Sequence, residues 1–142
     1  MARVRASRPA TTPTSAPTRA GPVATGDSFS AEQRHRIDRA IRDAEQHCRL
    51  ELSVFVGTLE GDRHAYAEKL HRKLVAPDKS VLILVDPAAR QVEVVTGAAT
   101  RAELTDDEVR LAVAEMADMF REQELVDGII SGVNAIARYA TN

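Results

Sequence analysis

Tryptophan is missing from this chain, and two Tyr and three Phe are its whole aromatic complement in 142 residues. A surface that stacks unpaired bases is built from aromatic faces, so a nucleic-acid partner is not expected. A single cysteine, Cys48, excludes an internal disulfide and suits a reducing compartment. The charges nearly balance: 19 Lys and Arg against 21 Asp and Glu leave a formal net charge of −2, which gives no electrostatic reason to seek DNA or anionic lipid. No apolar run approaches the roughly 18 residues of a membrane span. The arginines near the start are followed by no apolar block, unlike a secretory signal. These absences lead us to expect a soluble protein, most simply cytoplasmic. Recognisable catalytic strings are absent too: there is no P-loop, GxSxG, CxxC pair or HExxH.

What is present is an ordinary globular composition, 44% hydrophobic and 28% charged, of a size for one domain. Residues 1–28 stand apart. They are rich in Pro, Thr, Ala and Arg and offer almost nothing to bury, so they predict a disordered tail. Four Arg against one Asp give that tail +3 and leave −5 on residues 29–142, the expected domain.

The centre of that domain is Ser80–Gly97. Val81–Val85 is an unbroken apolar run of the kind found in a strand covered on both faces. Pro87 interrupts it. Gln91–Val95 resumes, with Val92 and Val94 on one face and Glu93 on the other, and Gly97 ends it. Upstream, Ser30 and Gln33 form a capping-box pattern. It opens a helix with Ile37, Ala40, Ile41, Ala44 and Cys48 on one stripe, which gives Cys48 the role of a small buried hydrophobe. Leu50–Val56 alternates as a strand, with Leu50, Leu52, Val54 and Val56 inward.

Asp62 is positioned to cap a second helix over 62–75, with Ala67, Leu70 and Leu74 inward, helped by Tyr66. His64, Glu68 and His71 fall at i, i+4 and i+7 on one side of that helix. The spacing differs from the familiar zinc pattern and reads as a solvated or partly packed face. Downstream, Thr105 and Glu108 predict a capped helix start, with Asp106 and Asp107 at the positive end of the helix dipole. A last helix is predicted over 125–139, where Gly128 and Gly132 allow close approach to a neighbour. The order α β α β β α α predicts a βαβ crossover followed by a hairpin, hence a mixed sheet of three or four strands with helices packed on it.

The chemistry on offer is carboxylate: Asp62, Asp86, Asp106, Asp107, Glu124 and Asp127 fall at strand ends and helix starts. Ligands in open α/β sheets sit outside strand ends, where converging carboxylates can hold a hard cation and a bound cation can assist phosphate-ester hydrolysis. Helix capping alone equally accounts for Asp62 and Asp106.

The string Val81–Val85, Arg90, Val92–Gly97, Leu104-Thr105-Asp106, Phe120 and Gly128, with Gly61-Asp62 and Ala67–Leu70 before it, resembles the TPM domain family. The wording GDRHAYAEKLHRKLVAPDKSVLILVDP is similar to an uncharacterised actinobacterial branch of it. The likeness runs over about 29–139. It implies an α/β/α sandwich with a mixed sheet of about four strands, and Ca²⁺ binding with phosphatase activity in some members. Carried onto this chain, it implies Ca²⁺ or Mg²⁺ at Asp62, Asp106 and Glu124. Asp106 would be a ligand or electrostatic organiser of weak phosphatase chemistry, and Arg101 a phosphate clamp. Gln123-Glu124 stands where the family has Gly-Asp, and Ala98–Ala102 where it has an acid-bearing Gly-aromatic-Gly segment. A non-catalytic module with a degraded site, serving an unknown protein partner, is therefore the alternative.

Overall fold

The structure, a computed structural model, describes residues 29–140; the expected tail over residues 1–28 lies outside the described residues. The chain order is α1 (Ala31–His47), β1 (Glu51–Val56), α2 (Arg63–Arg72), β2 (Ser80–Asp86), β3 (Gln91–Thr96), α3 (Asp106–Arg121) and α4 (Leu125–Ala140). Short 3₁₀ turns at Pro77–Lys79 and Ala98–Ala102 precede β2 and follow β3.

The helix starts form where local chemistry dictates. Ser30 Oγ accepts the Gln33 N–H at 3.1 Å while Gln33 Oε1 accepts the Ser30 N–H at 2.8 Å. Thr105 and Glu108 repeat that exchange at 3.2 and 2.9 Å. Asp62 Oδ1 accepts the Ala65 N–H at 3.1 Å and starts α2. That helix stops at Arg72, earlier than the predicted 75. Lys73 and Leu74 donate to the carbonyls of Leu70 and His71 in a tightened last turn. Val75 is then left 90% exposed.

Among the described residues the sheet has three strands, in the order β1-β2-β3, against the three or four that the element order predicts. β1 and β2 are parallel, joined across α2, and β2 and β3 form an antiparallel hairpin. β2 is buried along its whole length, Asp86 included, because helices cover both faces. On one face Val81, Ile83 and Val85 pack with Leu52, Val54 and the apolar stripes of α1, α3 and α4. On the other, Leu82 and Leu84 pack with Ala67, and half-buried Leu70 and Leu74 close the cluster. Tyr66 does not join it and stays 42% exposed. The result is an α/β/α sandwich whose layers, among the described residues, are unequal, three helices against one.

Gly128 and Gly132 do bring α4 close to α3. A Cβ at Gly132 would stand 2.2 Å from Met116 Sδ, and one at Gly128 2.6 Å from the Phe120 ring. Cys48 lies buried in the larger cluster, and desolvation pushes its thiol pKa up, as suits an unreactive core position. Among the described residues no helix is long and apolar enough to cross a membrane.

Candidate functional site at the rim of the parallel strands

The carboxyl ends of β1 and β2 open onto the 57–62 connection and the start of α2. Asp86, the last residue of β2, is only 2% exposed there. Three donors hold its carboxylate. Oδ2 accepts the Leu59 N–H at 3.3 Å and Arg63 Nε–H at 3.2 Å, and Oδ1 accepts the Ala89 N–H at 3.2 Å. One buried acid thus ties the post-β1 loop, the first turn of α2 and the β2–β3 turn to one point. A buried carboxylate is tolerable where a cation and backbone donors satisfy it.

One residue along, His64 bridges two elements. Its Nδ1 lies 3.1 Å from Glu93 Oε1 on β3, and its Nε2 lies 3.2 Å from Glu68 Oε2 on α2. Carboxylates only accept hydrogen bonds, so both ring nitrogens serve as donors when the ring is protonated. The Glu93 hydrogen bond first, then the Glu68 charge, raises the His64 pKa above its ordinary value. Of the three residues spaced along this helix, His64 and Glu68 therefore meet. His71 instead turns inward, where its Nε2–H donates to the Ser80 carbonyl at 2.9 Å.

The residues expected to hold a cation are placed as follows. Asp62 is exposed at the start of α2 and caps it. Asp106 is the exposed first residue of α3. Glu124 is exposed between α3 and α4, where its carbonyl accepts the Gly128 N–H at 2.8 Å. Arg101 is exposed in the 3₁₀ turn after β3. The sheet lies between the α2 layer, which carries Asp62, and the α3–α4 layer, which carries Asp106 and Glu124. Among the described residues, no three His, Cys, Asp or Glu side chains form a group that could hold a metal ion. Asp127 pairs with Arg36 at 2.8 Å and ties α4 to α1.

Arg63 and Glu93 carried no functional expectation in the sequence. Glu93 was legible only as a residue on the opposite face from Val92 and Val94. Its alternation puts it on the α2 side, and this is the signal from which the bridge to α2 could have been found.

A three-layer α/β domain with a short mixed sheet is the class this architecture defines. The chain matches the family described as "Domain of unknown function (DUF5130)" over residues 10–137, and it belongs to that family. It is 31% identical over 101 residues to the uncharacterized protein Rv2468c of Mycobacterium tuberculosis (strain ATCC 25618 / H37Rv), a match covering 71% of this chain and 60% of that protein. The chain thus spans under two thirds of that relative's length. Among solved structures, the BA42 protein of the psychrophilic bacterium Bizionia argentinensis aligns with a TM-score of 0.74 at 20% identity, covering 82% of this chain and 83% of that one. The N-terminal domain of cg2496 from Corynebacterium glutamicum aligns with a TM-score of 0.67 at 15% identity, covering 80% and 74%. At these identities the two structures show a shared fold.

Proposed function

We propose that this domain is a non-catalytic protein-interaction module on a TPM-like scaffold. The observation that carries the reading is how its carboxylates are used. Asp86 is consumed by three donors that hold the rim together. Asp62 caps α2. Asp106 and Glu124 belong to the helical layer across the sheet from Asp62. Carboxylates spent on structure, or divided between layers, are not poised to share one hard cation, which takes several oxygen ligands at once.

The second reading is a TPM-like domain that binds Ca²⁺ or Mg²⁺ through Asp62, Asp106 and Glu124. It would have weak phosphatase activity centred on Asp106 with Arg101 as clamp. The exposed Asp106-Asp107 pair at the start of α3 favours it. Ca²⁺ titration followed by amide NMR separates the two. The module reading expects a flat response up to about millimolar Ca²⁺, the weak end of protein Ca²⁺ sites. It also expects no phosphate-ester turnover that Asp106→Asn removes. Shifts clustered at Asp62, Asp106 and Glu124, or turnover lost in that variant, overturn it.

A further inference from the structure

The two edges of the sheet are treated differently. At the β1 edge, the Leu52 N–H is capped by the Glu45 carboxylate of α1 at 2.8 Å. At the β3 edge, Gly97 N–H donates to the Ser80 carbonyl at 3.0 Å, and the register runs Val81 to Thr96, Ile83 to Val94 and Val85 to Val92. Antiparallel pairing alternates. Gly97, Val95 and Glu93 therefore bond toward β2, while Thr96, Val94 and Val92 turn their N–H and C=O groups away from it. No further strand pairs there among the described residues.

Natural edges are blunted by lysine, proline, bulges or a covering element. Gln91–Thr96 contains no Lys, Pro or Gly. Its one charge, Glu93, is held by His64 across the α2 face. That leaves an edge of β-branched residues with regular spacing.

We propose that two copies of this chain pair along β3, antiparallel about Val94, joining their sheets into one. This rests on the module reading and names the partner: a second copy. The register is self-complementary. With Val94 opposite its own counterpart, Val92 meets Thr96 of the other copy, and vice versa. Those are the outward-bonding positions, so about six main-chain hydrogen bonds form. The side-chain pairs are Val–Val and Val–Thr on one face, β-branched pairs that favour strand association. On the other face Glu93 meets Val95, so no like charges oppose each other. A twofold of this kind is the commonest closed symmetry.

The test uses the full chain at increasing concentration, by sedimentation and by amide hydrogen exchange in parallel. The proposal expects a reversible dimer, with exchange at the Val92, Val94 and Thr96 amides slowing as it forms. Val94→Pro deletes the central outward N–H in both copies and leaves bonds to β2 intact; it should weaken dimerisation roughly thirtyfold. Three results overturn the proposal: a monomer up to about 1 mM, beyond the range of useful specific association; a dimer in which those three amides stay fast; or protection of them that ignores concentration, the mark of an edge filled within one chain. Should Val94→Pro fail to fold, the exchange measurement on the unaltered chain still decides. A monomer leaves the module reading standing, whereas Ca²⁺-dependent shifts or turnover remove that reading without touching the edge.

Discussion

Gly97 passes directly beneath Pro77, so that a Cβ on it would stand 2.0 Å from the Pro77 carbonyl oxygen and 2.5 Å from that of Asp78. Both obstacles are backbone, and the neighbourhood is pinned. The Ser80 carbonyl accepts from both Gly97 N–H and His71, Ser80 Oγ donates to the Ala76 carbonyl at 2.7 Å, and Thr100 Oγ1 donates to the Gly97 carbonyl at 2.7 Å. Gly97→Ala therefore has to displace the turn before β2 or the one after β3. It should destabilise the domain by about 3 kcal/mol or more, the upper range of overpacking, as read from the urea midpoint at unchanged m.

Removing the Asp86 carboxylate leaves Arg63 Nε and two backbone N–H groups without their acceptor. Asp86→Ala should cost about 2–4 kcal/mol, lower than a fully enclosed ion pair because the Arg63 side chain is 31% exposed and water can serve it. The same variant should speed amide exchange at Leu59 and Ala89, the two backbone donors it orphans. An unchanged exchange rate at both would show that this acid does not anchor the rim.

Local chemistry was readable in the sequence, and remote partnership was not. Ser30, Gln33, Thr105 and Glu108 sit three residues apart, so their exchange depends on nothing beyond one helical turn. The buried run of β2 was legible in the same way, and the apolar positions of β1 do bring Leu52, Val54 and Val56 into the larger cluster, but Ser53 on the opposite face is buried too, because β1 is covered on both sides. Arg63 and Asp86, in contrast, are 23 residues apart, and His64 and Glu93 are 29. Their meeting depends on how α2 lies across β3. The same limit applies to Asp62, Asp106 and Glu124: each stands at a helix start or turn where the pattern put it, but which layer it belongs to is a tertiary fact. His71, in the last turn of α2, is a similar case: its partner is the Ser80 carbonyl nine residues on, which helical spacing alone does not reveal.

Gln123 holds φ at 64°, a left-handed conformation. It follows the end of α3, where Gln123 N–H and Glu124 N–H donate back to the carbonyls of Phe120 and Met119. This is a Schellman closure, which favours glycine at the left-handed position. A side chain there costs about 1–2 kcal/mol in backbone strain, part of which glycine returns as unfolded-state entropy. Gln123→Gly should therefore stabilise the domain by about 0.5–1 kcal/mol, the surplus of one over the other. Thermal unfolding checks the sign, and a loss of stability would mean that the Gln123 side chain makes a compensating contact.

The His64 bridge makes stability depend on pH in a defined direction. The pKa of its imidazole is raised in the folded state, first by the Glu93 hydrogen bond and then by the Glu68 charge. Protonation is therefore more favourable folded than unfolded, and the contribution is fully present below the unfolded value of about 6.5. As pH rises from there through the folded value, the proton leaves, one nitrogen stops donating, and the contribution is lost. His64→Gln should flatten this segment of the stability–pH curve while leaving the acid limb in place. The ring is exposed, so salt should weaken the effect as well. An NMR titration of the His64 ring should show its midpoint falling toward the ordinary value in Glu93→Gln. A midpoint unmoved by that substitution would mean that β3 plays no part in holding the charge.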